Sequence, residues 1–285
     1  MRISVVIPVY NEEKYIRRCL EALQSGKRMP DEIIVVDGGS TDCTVEIAKK
    51  KGAVVLDNPR KNAACGRNIG ILRAKGDVVA FTDGDCMVHP EWLEAIETSF
   101  RDPSVDGVGG KVVAAVPEND IEAYWNHLQL EIVMKFGNDG YQVKERTLND
   151  SFITANCAYR RKFLWKMKGF NRWFANNGED VELSWRALAK GAKLLYVPEA
   201  VVDYHGVTDI EGIRKKSFRN GVASSKLQKV YGGKINYDIN IYKIWFASFK
   251  GTLLRKKWEK YNLIETTCHL LGKYYGSIIA GVINV

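Results

Sequence analysis

The first ninety residues repeat one pattern: a short apolar run, a polar loop, then a stretch with helical spacing. Ile3-Ser4-Val5-Val6-Ile7-Pro8-Val9-Tyr10 is followed by Asn11-Glu12-Glu13 and by Ile16, Cys19, Leu20 and Leu23, three and four residues apart as one helix face requires. A second run at 32–36 ends in Asp37-Gly38-Gly39-Ser40-Thr41-Asp42, whose polar side chains suit a helix cap near Cys43. A third run covers 53–56 and precedes a helical stretch at 62–74 that carries Arg67 and Asn68. The fourth is Asp77-Val78-Val79-Ala80-Phe81. Runs without polar alternation are strands buried on both faces, and strands alternating with helices predict a doubly wound, mainly parallel sheet with helices on both faces.

That architecture has a consequence for the loops at 8–12, 37–42 and 83–85. Each follows a strand, so all three are expected along the carboxyl edge of the sheet, where ligands of open α/β folds bind. The last of them, Asp83-Gly84-Asp85, sets two carboxylates one residue apart. Such a pair suits a hard divalent cation that shares phosphate oxygens, and it equally suits a plain polar turn.

Four pieces taken together carry a resemblance. Val6-Ile7-Pro8-Val9-Tyr10-Asn11-Glu12, Val35-Val36-Asp37-Gly38-Gly39-Ser40-Thr41-Asp42, Ala64-Cys65-Gly66-Arg67-Asn68-Ile69-Gly70 and Asp83-Gly84-Asp85 stand in the order and spacing of a family 2 glycosyltransferase. The resemblance implies a GT-A type fold, an inverting reaction and a nucleotide-diphosphate-sugar donor. It continues through a strand expected at 105–113 and through Asp150-Ser151-Phe152-Ile153-Thr154-Ala155-Asn156-Cys157-Ala158-Tyr159-Arg160-Arg161, which resembles the strand behind the acceptor site. Asn156 there would face the donor sugar or serve as a buried structural amide.

Asn177-Gly178-Glu179-Asp180 opens another helix, where acidic residues are favoured by the helix dipole alone. The resemblance assigns the general base to Asp180 and gives Glu179 the orienting of acceptor or base. A last strand is expected at 193–197, and Tyr204-His205-Gly206 follows it where many GT-A enzymes contribute a histidine to the metal. On this reading Asp85 and His205 hold a divalent cation, manganese or magnesium. Asp83 contacts the ribose or the metal's water shell, Asp37 accepts from the imide of the base, Pro8, Tyr10 and Glu12 line base and ribose, and Arg67 orders the pocket. Uracil has one imide donor for a carboxylate and a flat face for an aromatic wall, which makes a UDP-sugar the first choice of donor.

Charge is uneven along the chain. Of the net +8, residues 205–285 carry 14 Lys/Arg against 5 Asp/Glu, leaving the first 204 residues close to neutral. No zinc-finger spacing or nucleic-acid motif accompanies this basicity, so nucleic acid is not the expected partner. Trp245, Phe246, Phe249, Leu253-Leu254 and Trp258 alternate with lysine and arginine, as a helix lying on an anionic membrane does; packing on the catalytic domain or a homodimer contact would use the same face. The six scattered cysteines form no C-x-x-C pair, no signal-peptide pattern opens the chain, and no apolar run is long enough to span a bilayer. A cytoplasmic protein, at most peripheral to the membrane, is expected.

The chain thus divides into a catalytic domain at 1–209, with a nucleotide-sugar half at 1–115 and an acceptor half at 116–209, and a basic helical extension at 210–285. The acceptor is a glycan or lipid-linked saccharide hydroxyl. A polyprenyl phosphate is the alternative, although such an anionic nucleophile needs no base. A nucleotidyltransferase would place a Gly-rich basic loop where Val9-Tyr10-Asn11-Glu12 stands, and a non-catalytic nucleotide-sugar-binding protein would typically lack one of the charged groups present here.

Overall fold

The computed structural model describes residues 1–133, 137–147, 151–175, 177–232, 245–250, 252 and 258–281, the side chains of 129–133 excepted. Asp150, Leu253 and Leu254, named above, lie outside the described residues. In chain order the elements begin β1 (Ile3–Val9), α1 (Ile16–Ser25), β2 (Glu32–Asp37), α2 (Thr44–Lys50), β3 (Val54–Asp57), α3 (Ala63–Arg73), β4 (Val78–Phe81) and β5 (Cys86–Val88). They continue with α4 (Trp92–Ser99), β6 (Val105–Ala114), α5 (Asp120–Val133), β7 (Tyr141–Val143), β8 (Cys157–Arg160), α6 (Arg161–Lys166), α7 (Glu179–Ala189), β9 (Lys193–Tyr204), α8 (Ile210–Tyr231) and α9 (Glu259–Ala280).

Among the described residues the strands form one sheet in the order β3-β2-β1-β4-β8-β6-β9-β5, with β7 added on β9. The first four strands are parallel, as the β-α alternation predicts. The second half is mixed: β8 runs antiparallel to both β4 and β6, while β6 and β9 are parallel. Alternate residues of the apolar runs feed two cores. Ile3, Val5, Ile7 and Val9 pack with Ile16, Leu20 and Leu23 of α1 and Trp92 of α4, whereas Val6, Ile34, Val36 and Phe81 pack with Ala64 and Ile71 of α3 and Leu183 of α7. Fully burying each of these large side chains is worth roughly 1.5–3 kcal/mol, so a one-residue slip in register would expose neither core at a tolerable cost.

Two features escape the sequence pattern and matter for the site. The three-residue strand β5 is too short to signal itself. The last long strand also does not stop near 197: β9 continues to Tyr204 past an irregularity, its partner shifting from Gly110↔Val197 to Lys111↔Val201. That irregularity takes up Pro198, which has no N–H to give a ladder.

The described chain forms two compact units. One comprises residues 1–115, 129–175 and 179–205, the other 116–128, 177–178 and 206–281. The second has its own core of Tyr124, Trp125, Val207, Ile213 and Tyr261. Among the described residues no helix is long and apolar enough to cross a membrane.

Candidate active site

The three polar loops do gather on one edge of the sheet, and side-chain to backbone bonds join them. Asn11, held at a positive φ of 55°, donates its N–H to Ser40 Oγ at 2.9 Å and accepts from the Thr41 N–H at 2.8 Å. The Glu12 N–H donates to Thr44 Oγ1 at 2.7 Å. Gly84 sits so close to the first loop that a Cβ there would stand 3.1 Å from both Glu12 Cγ and Val9 Cγ1, which accounts for glycine between the two aspartates. Asp37 is buried and accepts from the N–H groups of Gly39 and Ser40 and from the Ser40 hydroxyl at 2.6 Å, so its carboxylate shapes this loop. Tyr10 is exposed beside Gly38, and Pro8 faces Gly66 of α3.

Arg67 joins the Asp83-Gly84-Asp85 loop to the acidic pair. It lies on α3, 3% exposed, and donates Nη2 to Asp83 Oδ1 and Nη1 to Glu179 Oε1, each at 2.7 Å. Burial works against its charge, but the carboxylates of Asp83, Glu179 and Asp180 outweigh burial and hold the guanidinium above its ordinary pKa. The next residue, Asn68, exchanges two hydrogen bonds with the Phe170 backbone, and the Phe170 ring lies 5.9 Å from the Arg67 guanidinium carbon. Burial, only partly offset by Arg67, pushes Glu179 up to about 7. Asp180 is also raised by burial, against the opposing effect of the Val181 N–H, which donates to its Oδ1 at 2.8 Å. Arg67 Nε and Glu179 Oε2 are buried with no hydrogen-bond partner among the described residues.

On the other side of Asp83-Gly84-Asp85, the β5–β9 pairing sets Cys86 opposite Tyr204. Asp85 and His205 are therefore neighbours, and the His205 N–H donates to the Asp85 carbonyl at 3.1 Å. The His205 ring stacks on Tyr15, centroids 4.8 Å apart. Glu12 is raised to about 8, first by burial and then by the charges of Asp85, Asp83 and Asp42.

Asn156 is not part of this constellation. Only 1% exposed, it accepts from Trp92 Nε1 at 2.7 Å and donates to the carbonyls of Lys111 and Ala200, each at 2.8 Å. Both amide hydrogens and the oxygen are engaged within the fold, and the side chain is closed to solvent. Of the two roles open to it, these bonds favour the structural amide.

Residues 4–168 match the family described as glycosyl transferase family 2. The chain belongs to this family. Glycosyltransferase AglE of Haloferax volcanii is 31% identical over 77% of this chain and 71% of its own length. The pre-mycofactocin glycosyltransferase of Mycobacterium tuberculosis is 33% identical over 78% of this chain, which spans about half (47%) of that relative. Among solved structures, a mannosyltransferase of Pyrobaculum calidifontis in complex with GDP-Man and Mn2+ superposes with a TM-score of 0.67 at 17% identity, covering 96% of this chain and 86% of that one. The fold is thus the GT-A fold, with a helical C-terminal region. Family membership sets aside the nucleotidyltransferase and non-catalytic alternatives.

The residues of this glycosyltransferase fit a divalent cation in a particular way. Among the described residues no three His, Cys, Asp or Glu are grouped to hold a metal alone. Asp85 and His205 are neighbours through their backbone bond, and a carboxylate and an imidazole are donor types that suit such an ion when other ligands complete the set. The charges of Asp85, Asp83 and Asp42 add, second to burial, to the rise in the Glu12 pKa, as neighbouring carboxylates do.

Two residues that border this candidate site carry little signal in the sequence. Tyr15 gave no signal beyond standing at a helix start. Asn58 is 4% exposed, donates to the Asn62 carbonyl at 2.8 Å and keeps its Oδ1 without a partner among the described residues; its backbone N–H donates to Asp37 O at 2.7 Å. A polar residue directly after a strand was the signal available there.

Proposed function

We propose that this glycosyltransferase moves a sugar, with inversion at the anomeric carbon, from a nucleotide-diphosphate donor to a hydroxyl of a glycan or lipid-linked saccharide. A UDP-sugar is the favoured donor, Asp180 the general base, and Asp85 with His205 the holders of a manganese or magnesium ion. The observation that supports this reading most is the Arg67 bridge from Asp83 to Glu179, 2.7 Å on each side. It ties the base-bearing helix α7 to the donor-side motif through one buried side chain.

Asp180 takes the proton of the acceptor hydroxyl while that oxygen bonds to the anomeric carbon and the bond from that carbon to the diphosphate breaks. General-base assistance of this kind contributes roughly 10²–10⁴-fold. Asp180 must be ionised to act, and its raised pKa makes it a stronger base than an exposed aspartate. Glu179 positions Arg67, and Arg67 in turn directs Asp83 toward the ribose. When bound, a divalent cation neutralises the charge that develops on the departing diphosphate. Tyr10, Pro8 and Glu12 line base and ribose, Asp37 reads the imide from the loop it orders, and Asn58 Oδ1 adds an acceptor in the same quarter. A guanosine donor is the second reading, favoured by the GDP-Man bound in the Pyrobaculum structure. Peripheral contact with a membrane through the C-terminal unit, on the cytoplasmic side, completes the proposal; all six cysteines are free, as a reducing compartment would keep them.

Isothermal titration of UDP- and GDP-sugars, with and without manganese, tests the donor and the cation together. UDP-sugar binding is expected to weaken at least about tenfold on chelation and equally in Asp85→Ala. Indifference to manganese would remove the cation from the proposal, and retention of configuration in the transfer product, read by NMR, would remove the single displacement.

A further inference from the structure

In α9 the usual arrangement of an amphipathic helix is reversed. The face against α8 is made of small residues: Gly272, Gly276, Ser277 and Ala280 are buried. A Cβ on Gly272 would stand 2.0 Å from the Phe218 carbonyl oxygen, and one on Gly221 of α8 2.1 Å from the His269 carbonyl oxygen. Ser225 Oγ donates to the Lys273 carbonyl at 2.9 Å, and Ser277 Oγ to the same carbonyl at 2.7 Å. The opposite face is Leu271, Tyr274, Tyr275, Ile278 and Ile279, spaced i, i+3, i+4, i+7 and i+8 and between 45% and 79% exposed, Tyr275 at its edge with its ring 5.7 Å from that of Phe218 on α8. Small residues between the helices let the two backbones approach closely and leave the bulky apolar residues of α9 outside the contact.

Phe246 and Phe249, also exposed, belong to the helical segment 245–250 that Trp245 fastens to α9 through a 2.8 Å bond from its Nε1 to Thr267 Oγ1. Lys250 lies over the Phe246 ring, and Lys229 is exposed on α8 beside Val230. No acidic residue occurs after Glu265, and residues 205–285 carry a surplus of nine positive charges.

We propose that the α9 face of Leu271, Tyr274, Tyr275, Ile278 and Ile279, with Phe246, Phe249 and the flanking lysines, docks on an anionic bilayer surface. The occupant is lipid and not a second copy of the chain, because pairing two such faces would bring two strongly basic units together. The helix lies in the interface, its apolar stripe among the upper acyl chains, its tyrosines at headgroup depth and its lysines on anionic headgroups. This deepens the membrane part of the proposed function and rests on that reading only for its purpose, which is to meet a lipid-linked acceptor. Lipid binding itself does not depend on transfer.

The test is sedimentation of the full chain with phosphatidylcholine vesicles containing or lacking phosphatidylglycerol, in low and high salt. Wild type is expected to bind the anionic vesicles, more weakly in high salt, and Ile278→Ser/Ile279→Ser to bind at least about tenfold more weakly. Both residues are exposed, so circular dichroism should show an unchanged fold and donor titration an unchanged affinity. Equal binding by the variant, or no binding of wild type to anionic vesicles, overturns the proposal. A wild-type dimer in sedimentation velocity that the substitution dissociates, without vesicle binding, overturns it in favour of a subunit interface. Loss of transfer with vesicle binding intact counts against the catalytic reading alone.

Discussion

Two polar clusters lie buried within the catalytic unit, and they differ in one respect. Around Asn156 every partner is neutral, and both amide hydrogens and the oxygen have one. Around Arg67 the groups are charged, and Arg67 Nε and Glu179 Oε2 keep unused positions. A closed neutral cluster stabilises the fold and leaves nothing for a ligand. An open charged one costs desolvation that the fold alone does not recover, which is the condition expected of a site completed by substrate.

The predictions put pressure on that contrast. The largest effect belongs to the open cluster: Asp180→Asn should lower turnover roughly 10²–10⁴-fold and leave donor affinity within a factor of two or so, measured by initial rates beside calorimetry. Near-normal turnover would remove Asp180 as base. Next is Arg67→Met, which leaves Glu179 buried without its counter-charge. A loss of about 3–5 kcal/mol in denaturant unfolding is expected, together with weaker donor binding. Asn156→Leu comes third in its effect on function, although not on stability: it abandons Trp92 Nε1 and two carbonyls at roughly 1–3 kcal/mol for each group left unsatisfied. Donor affinity in the surviving folded protein should be unchanged, and a tenfold loss of affinity at wild-type stability would break the comparison.

The smallest effect is a pH slope. The folded protein holds the Glu179 proton more tightly than the unfolded chain does, since its pKa rises from 4.5 to about 7. Its contribution is therefore complete below about 4.5 and lost as pH rises toward 7. Melting temperatures of donor-free protein should fall across that window, and Glu179→Gln should flatten the fall. A slope untouched by the substitution would assign it to other groups, with Glu12, raised to about 8, the next to replace.

Much of the donor side was legible in the chain because its physics is local. A strand buried on both faces writes itself as an uninterrupted apolar run, and the loop after it must lie at the sheet edge, so 8–12, 37–42 and 83–85 could be placed together without coordinates. Arg67 was visible as a charge within a small, apolar helix, and its resemblance motif named it. Its reach to Glu179, 112 positions away, was not visible, because spacing along a sequence says nothing about which helices face each other across a sheet.

What the sequence determined by itself is the alternation of elements, the family and the residue types at the sheet edge, since period, apolarity and motif order are properties of neighbours in the chain. Tertiary structure alone decided that Asn156 is sealed, that Arg67 joins both halves of the site, that His205 reaches Asp85 through a three-residue strand paired with the end of β9, and that α9 turns its large apolar side chains outward. Each of those depends on register, on packing across a sheet or on which helix face finds a partner. These are set by the fold as a whole, because every strand and helix must bury its apolar face at once.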